Sequence, residues 1–282
     1  MGSMSEPARE GIVRRRGDRV GVDAVSVKPT EMSLDHVADL PVDRIVVDWE
    51  GRDHLPDRET LAALTDSAAV RVTVPVRADG FDPLGDDSLY DRIPPQVDFA
   101  LVAGHPAYLS PDERRRAVAP RFGASLDRFP EAWVGTEGVT EVALATGATQ
   151  FDLLAAGTER RLKALRSAGF DGEIAVYAPT VLSADPGAVL DAVGAYVARR
   201  GPVAERLPGE CATDSSAEPH VRDVLLEGAE EYALVGDEDS VRARITALRE
   251  AGADYVVAYP ARGVGGLLDR SSDPADESLG DD

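Results

Sequence analysis

Eight short apolar runs, many of them separated by helical patterns, limit what this chain can fold into. They are AVSVK (24–28), RIVVDW (44–49), VRVTVPV (70–76), FALVAG (99–104), AWVG (132–135), QFDLLAAG (150–157), EIAVYAP (173–179) and YVVAYP (255–260). Most are rich in β-branched residues and apolar on both faces, as parallel strands covered by helices must be. Amphipathic segments precede several of them: DRETLAALTDS before the third, TERRLKALRSAGFDG before the seventh, DSVRARITALREAGAD before the eighth. In the last, Val241, Ile245, Leu248 and Ala251 fall on one helical face. Acids occupy its first turn and Gly252 supplies the stop.

Eight strands with helical crossovers make a (β/α)8 barrel, in which the eighth strand hydrogen-bonds to the first. The rival is an open doubly wound sheet, whose GxGxxG turn after the first strand is absent; SVKPTEMS stands there. The chain therefore reads as one barrel domain over residues 21–268. A flexible arm (1–20) with Arg14, Arg15, Arg16 and Arg19 precedes it, and a disordered acidic tail (269–282) follows. The stretch between strands seven and eight is much longer than the others. It reads as an insertion: a helix near 186–200, a polar loop near 201–219 with Cys211, and a helix near 220–232. If YVVAYP closes the ring, Val256 and Val257 are both covered, one facing the lumen and the other the helices. Asp254 just before them is expected to tolerate Ser.

Charge narrows the function classes. A net charge of −21 repels nucleic acid and anionic membranes. No apolar run reaches the roughly 18 residues of a membrane span, and the first residues show no secretory pattern, so a cytoplasmic place is expected. One cysteine cannot make an internal disulfide or a Cys-based zinc site, and four scattered histidines show no HExxH spacing. No metal centre is expected. Of the 30 basic residues only Lys28 and Lys163 are lysines. High acid and little lysine resemble the cytosolic proteins of salt-accumulating halophiles. On that reading the acidic surface is a solvation adaptation, and stability should rise as salt screens it. The expected partner is a small-molecule substrate; self-association is left open.

In a barrel the site lies at the C-terminal ends of the strands. That position selects Lys28, Asp48 with Glu50 and His54, Arg77, Gly104 with His105, Thr136 with Glu137, Tyr177, and Tyr259 with Arg262. Lys28, His54, His105 and Glu137 are the catalytic candidates by residue type. Lysine can lose its proton or form an imine where arginine cannot, so its retention at a strand end suggests a role. Chance is the other reading, since Lys163 also survives. Asp48, Arg77, Gly104, Tyr177 and Tyr259 are candidates for contact with a cofactor. In ARGVGG, Arg262 with Gly263, Gly265 and Gly266 offers a cation and free backbone N–H groups for a phosphate. The alternative there is a plain flexible exit into the tail.

Two segments resemble the luciferase-like flavin-dependent oxidoreductases, a (β/α)8 family that includes enzymes using the deazaflavin F420. In residues 42–76, Asp43, Asp48, His54, Asp57, Leu61 and Leu64 follow that family's strand, acid and His, helix, strand pattern. In residues 234–266, Gly236, Val241, Ile245, Ala251, Gly252 and Asp254 match its C-terminal helix and strand. The resemblance implies hydride transfer with F420 or FMN on a small substrate. It implies His54 and His105 as polar wall or proton-handling groups, and Arg262 with Gly263 to Gly266 as the phosphate receiver. Two departures stand out. GRD separates Glu50 from His54, and YDRIPPQVD replaces the helix that normally precedes the fourth strand. A weaker resemblance, in AVSVKPTEMSLDHVADL, is to pyridoxal-phosphate barrels and implies a Schiff base at Lys28. The third reading is a barrel retained as a non-catalytic binding or scaffold protein.

Overall fold

The computed structural model describes residues 20–263 apart from 35, 36, 38, 39 and 41. All eight apolar runs form strands: β1 (Ala24–Val27), β2 (Arg44–Val47), β3 (Ala69–Pro75), β4 (Asp98–Val102), β5 (Trp133–Gly135), β6 (Gln150–Leu153), β7 (Ile174–Leu182) and, after a short extra strand β8 (Leu234–Gly236), β9 (Tyr255–Pro260). Each ring strand pairs in parallel with its neighbour, and β9 lies between β7 and β1. The ring closes where Ala24 pairs with Val257 and Val25 with Ala258. The fold is thus a closed eight-stranded parallel (β/α)8 barrel, as the sequence predicts, with the insertion between its seventh and eighth staves. The proposed arm (residues 1–19 of it), the tail, and Gly265 and Gly266 lie outside the described residues.

Outside the ring run α1 (Arg58–Leu64), α2 (Pro111–Arg115), α3 (Ala119–Arg128), α4 (Thr140–Ala145) and α5 (Thr158–Ser167). The insertion supplies α6 (Pro186–Ala198), α7 (Gly201–Ala204) and α8 (Pro219–Tyr232), and α9 (Glu238–Ala251) leads into β9. Helix α9 forms for the expected reasons. Asp237 accepts from the Ser240 N–H at 2.8 Å, and Glu238 and Asp239 face the positive end of the helix. Val241, Ile245, Leu248 and Ala251 bury one stripe against the outer face of β7 and β9. Val256 joins that layer while Val257 joins the lumen, and both are fully buried.

The contacts of Asp254 count against the tolerance expected there. Its carboxylate takes the Ile174 N–H at 2.8 Å and pairs with Arg166, whose guanidinium also holds the carbonyls of Gly252, Phe170 and Gly172. The residue ties α5, β7 and the turn before β9 together at the closed end of the barrel. Serine is too short to keep both contacts.

The lumen is polar at both ends. Below, Arg44 lies 4.8 Å from the Tyr255 ring centroid and Arg71 lies 4.5 Å from that of Trp133. The two rings stack at 5.6 Å and plug that end. Above, β7 overhangs the ring. Its Thr180–Leu182 segment pairs with β8, and the insertion packs there around Val181, Val189, Val193, Val197, Val221 and Leu225. Gly194 permits this packing, because a Cβ there would lie 1.8 Å from the Thr213 carbonyl oxygen. No helix among the described residues is long and apolar enough to cross a membrane.

Candidate active site

Side chains along a strand alternate between lumen and helices. In β1 that parity sends Ser26 and Lys28 the same way, and in β2 it sends Asp48 with Val46. Tyr177 and Tyr259 come from β7 and β9 across the lumen. These residues meet at the C-terminal mouth. The Tyr177 hydroxyl donates to Asp48 Oδ2 at 3.3 Å. The Tyr177 and Tyr259 rings lie nearly parallel, 12° apart, with centroids at 6.3 Å. The Lys28 ammonium sits 4.3 Å over the Tyr259 ring and 3.1 Å from Glu31, whose other oxygen accepts from the Tyr259 hydroxyl. Glu50 takes the Thr30 N–H at 2.8 Å and its hydroxyl at 2.7 Å, which fixes the loop after β1.

Asp48 lies deep in this pit, surrounded by protein yet still partly reachable from the mouth. Burial pushes its carboxyl up to about 7, against the pull of Lys28 and hydrogen bonds from Ser26 and Tyr177. A carboxyl balanced at neutral pH can give and take a proton with little cost in either direction. Burial, with Asp48 and the tyrosines beside it, raises Tyr177 well above the usual phenol range, so it stays a donor. Burial opposes ionisation of Glu31, but hydrogen bonds from Tyr259 and Lys28 outweigh it and hold that carboxyl low. The Lys28 ammonium is therefore paired with an ionised partner. It is placed to act as a charge in the pit rather than as a free amine nucleophile.

The other sequence candidates are spread around the rim. Arg77 spends its guanidinium on the Ala103, Gly104 and Arg114 carbonyls, pinning the loops after β3 and β4. Gly104 adopts φ +87, and a Cβ there would press on Pro75 at 2.9 Å, so it serves the turn. His105 caps a single 3-10 turn by accepting from the Ala107 N–H at 3.2 Å, and is exposed. His54 ends another exposed 3-10 turn, Arg52–His54. Glu137 pairs at 3.7 Å with Arg200 of the insertion. Thr136 turns outward with Asp152 and Arg161 beneath α5. Of the candidates, Lys28, Asp48, Tyr177 and Tyr259 are brought together; His54 and His105 are not.

Sequence reasoning missed Glu31, Tyr196 and Arg200. Tyr196 from α6 adds to the upward push on Tyr177, and the Arg200 guanidinium lies 4.0 Å over the Tyr196 ring. Only their position in the insertion brings them to the mouth, and no spacing in the sequence announces it. The Arg200 Nε is buried without a hydrogen-bond partner, and the Tyr196 hydroxyl, which meets Arg200, has no acceptor for its own proton. Buried donors in that state favour a ligand that brings oxygen acceptors.

These features bear on a deazaflavin or flavin. Tyr177 and Tyr259 are each 8% exposed and Lys28 covers one face of Tyr259, so they offer a ring system a narrow edge of wall, while the unpartnered donors suit its carbonyl oxygens. For a phosphate, the exit of β9 offers Arg262; the Gly263 N–H is already given to the Pro260 carbonyl at 2.9 Å. Arg262 borders a depression of about 560 Å³ whose other polar walls are Asp185, Asp191 and Ser215, so two carboxylates oppose a phosphate there and the fit is poor. Asp185 already takes the Gly187 and Ala188 N–H groups at the start of α6.

Two solved structures share the barrel. One is an F420-dependent secondary alcohol dehydrogenase in complex with an F420-acetone adduct: 13% identical, TM-score 0.56, covering 86% of this chain and 95% of that one. The other is apo-MsnO8: 14% identical, TM-score 0.51, covering 86% and 94%. At these identities the likeness carries the fold alone. No curated protein matches the sequence. A family model matches residues 17–267, and the chain belongs to that family, described as a family of unknown function (DUF7388).

Proposed function

We propose that this protein is an oxidoreductase that moves a hydride between a small substrate and F420 or FMN at the C-terminal mouth, with Asp48 handling the accompanying proton. The observation that carries the reading is the Asp48 carboxyl, held at about 7 within reach of the Tyr177 hydroxyl. Oxidising an alcohol removes a hydride from carbon and a proton from oxygen. When bound, F420 or FMN would supply the hydride acceptor. Asp48 takes the hydroxyl proton when ionised and returns it in the reverse direction. Tyr177 holds the carboxylate in place by donating to it, and Lys28 balances its charge. Tyr259 and Tyr177 form the wall, and Tyr196 and Arg200 supply donors from the insertion.

The test is a titration of the purified protein in high salt with F420 and with FMN, followed by absorbance. A saturable band shift with one of them, absent when the Tyr177 and Tyr259 rings are replaced by Ala, supports the reading. No shift with either cofactor, from protein shown to be folded, contradicts it. The pyridoxal-phosphate reading requires a free amine at Lys28, and the ion pair with Glu31 gives it no support.

A further inference from the structure

On the outer wall, α5 packs beside α9. The loop 155–157 brings the chain from the end of β6 into α5 there. A depression of about 390 Å³ opens between them, lined by Ala155, Ala156, Glu159, Arg160, Lys163 and Arg244. Three of these six residues are cations, in a chain of net charge −21 that has only two lysines. Glu159 is the sole anion of the lining, and it is engaged with Arg244 at 2.8 Å. That leaves Arg160 and Lys163, both exposed, as charges facing the depression without an ion pair among the described residues. The Arg244 Nε is buried there without a hydrogen-bond partner.

The start of α5 adds to this. Helices α1, α6 and α9 each begin with an Asp whose carboxylate takes their first N–H groups. Helix α5 begins after Gly157 with no side-chain cap, as α3, α4, α7 and α8 also do, and its first turn borders this groove. The Thr158 N–H is taken by the Ala155 carbonyl at 2.9 Å, which leaves the Glu159 and Arg160 N–H groups of the first turn, both of groove-lining residues. Two cations, a buried guanidinium N–H and an uncapped helix start converge on one space larger than a phosphate group.

We propose that this groove between α5 and α9 binds a phosphate dianion, free or as the end of a small phosphate ester. The groove is separate from the mouth and does not depend on the redox reading above. Arg160 and Lys163 neutralise the dianion, Arg244 stays paired with Glu159 and orients its free N–H, and the start of α5 supplies backbone donors.

Calorimetric titration tests it, with inorganic phosphate in one arm and phenyl phosphate in the other. Chloride at equal ionic strength serves as the control. Saturable binding of phosphate is expected, weakened at least tenfold in the Arg160→Ala, Lys163→Ala double variant and kept in Asp48→Asn. The thermal midpoint of the double variant should stay unchanged, since both side chains are exposed. Tighter binding in the phenyl phosphate arm would identify an ester as the ligand, and equal binding the free ion. Heats no larger than those of chloride, or affinity unchanged in the double variant, would overturn the proposal.

Discussion

Two arcs of the same rim use polar residues in opposite ways. On the arc of β3 and β4, arginine and aspartate are consumed in holding loops. Asp82, almost fully buried, takes the Arg121 guanidinium at 2.8 and 2.9 Å and Arg116 at 3.2 Å, while Arg116 also meets Asp79. On the arc of β1, β2, β7 and β9, the polar groups point into the lumen and leave one carboxyl ready to titrate at about 7. Strand-end position is common to both arcs. Side-chain parity and available partners separate them: groups that satisfy backbone carbonyls make structure, and groups that face one another across the pit make a site.

The contrast predicts opposite costs for removing a carboxylate. Asp82→Ala leaves two guanidiniums without their buried partner and should cost about 3–5 kcal/mol, read as a lower denaturant midpoint at neutral pH. A loss below 1 kcal/mol, about the worth of an exposed ion pair, would erase the distinction between the arcs. Asp48→Asn should lower turnover about 100-fold or more once a substrate is in hand. Its effect on stability has the other sign. A carboxyl whose folded value lies above its unfolded value loses stabilisation as pH rises between the two, from about 4 to about 7. The Asn variant should therefore melt higher than the parent at pH 8, with the gain fading toward pH 4.

Smaller effects sharpen the picture. Asp254→Ser, at the closed end, should cost about 1–3 kcal/mol through the orphaned Ile174 N–H and Arg166. A change within a few tenths would restore the tolerance expected from sequence alone. Tyr177→Phe removes a hydrogen bond that favours the ionised form of Asp48. The pH at which oxidation switches on should then rise by a fraction of a unit, with little change in thermal stability. A fall in that pH would mean that Tyr177 does not serve Asp48.

Much of this barrel was legible because a strand covered on both faces leaves a plain mark. Ala24 and Val25, Val46 and Val47, and Val256 and Val257, adjacent and so on opposite faces, declare two-sided burial without any knowledge of their neighbours. Strand β8 was not legible. Three residues, Leu234–Gly236, become a strand only because β7 runs past the ring to meet them. Helices α2 and α4 are short and bury little, so their pattern is faint. In the site, Lys28, Asp48, Tyr177 and Tyr259 could be named from strand ends, but Arg77 and Gly104 met the same rule and serve loops. Glu31 comes from the loop after β1, and Tyr196 and Arg200 from the insertion. Their nearness to the pit exists only once the chain has folded.

The titration of Asp48 itself tests the central claim most directly. Carbon-13 NMR of the Asp48 carboxyl carbon, assigned by comparison with Asp48→Asn, reads its protonation without any substrate or cofactor. A midpoint near 7 is predicted. A midpoint near the ordinary aspartate value of about 4 would show a plain surface-like carboxylate, and would remove the ground for placing proton transfer at this mouth.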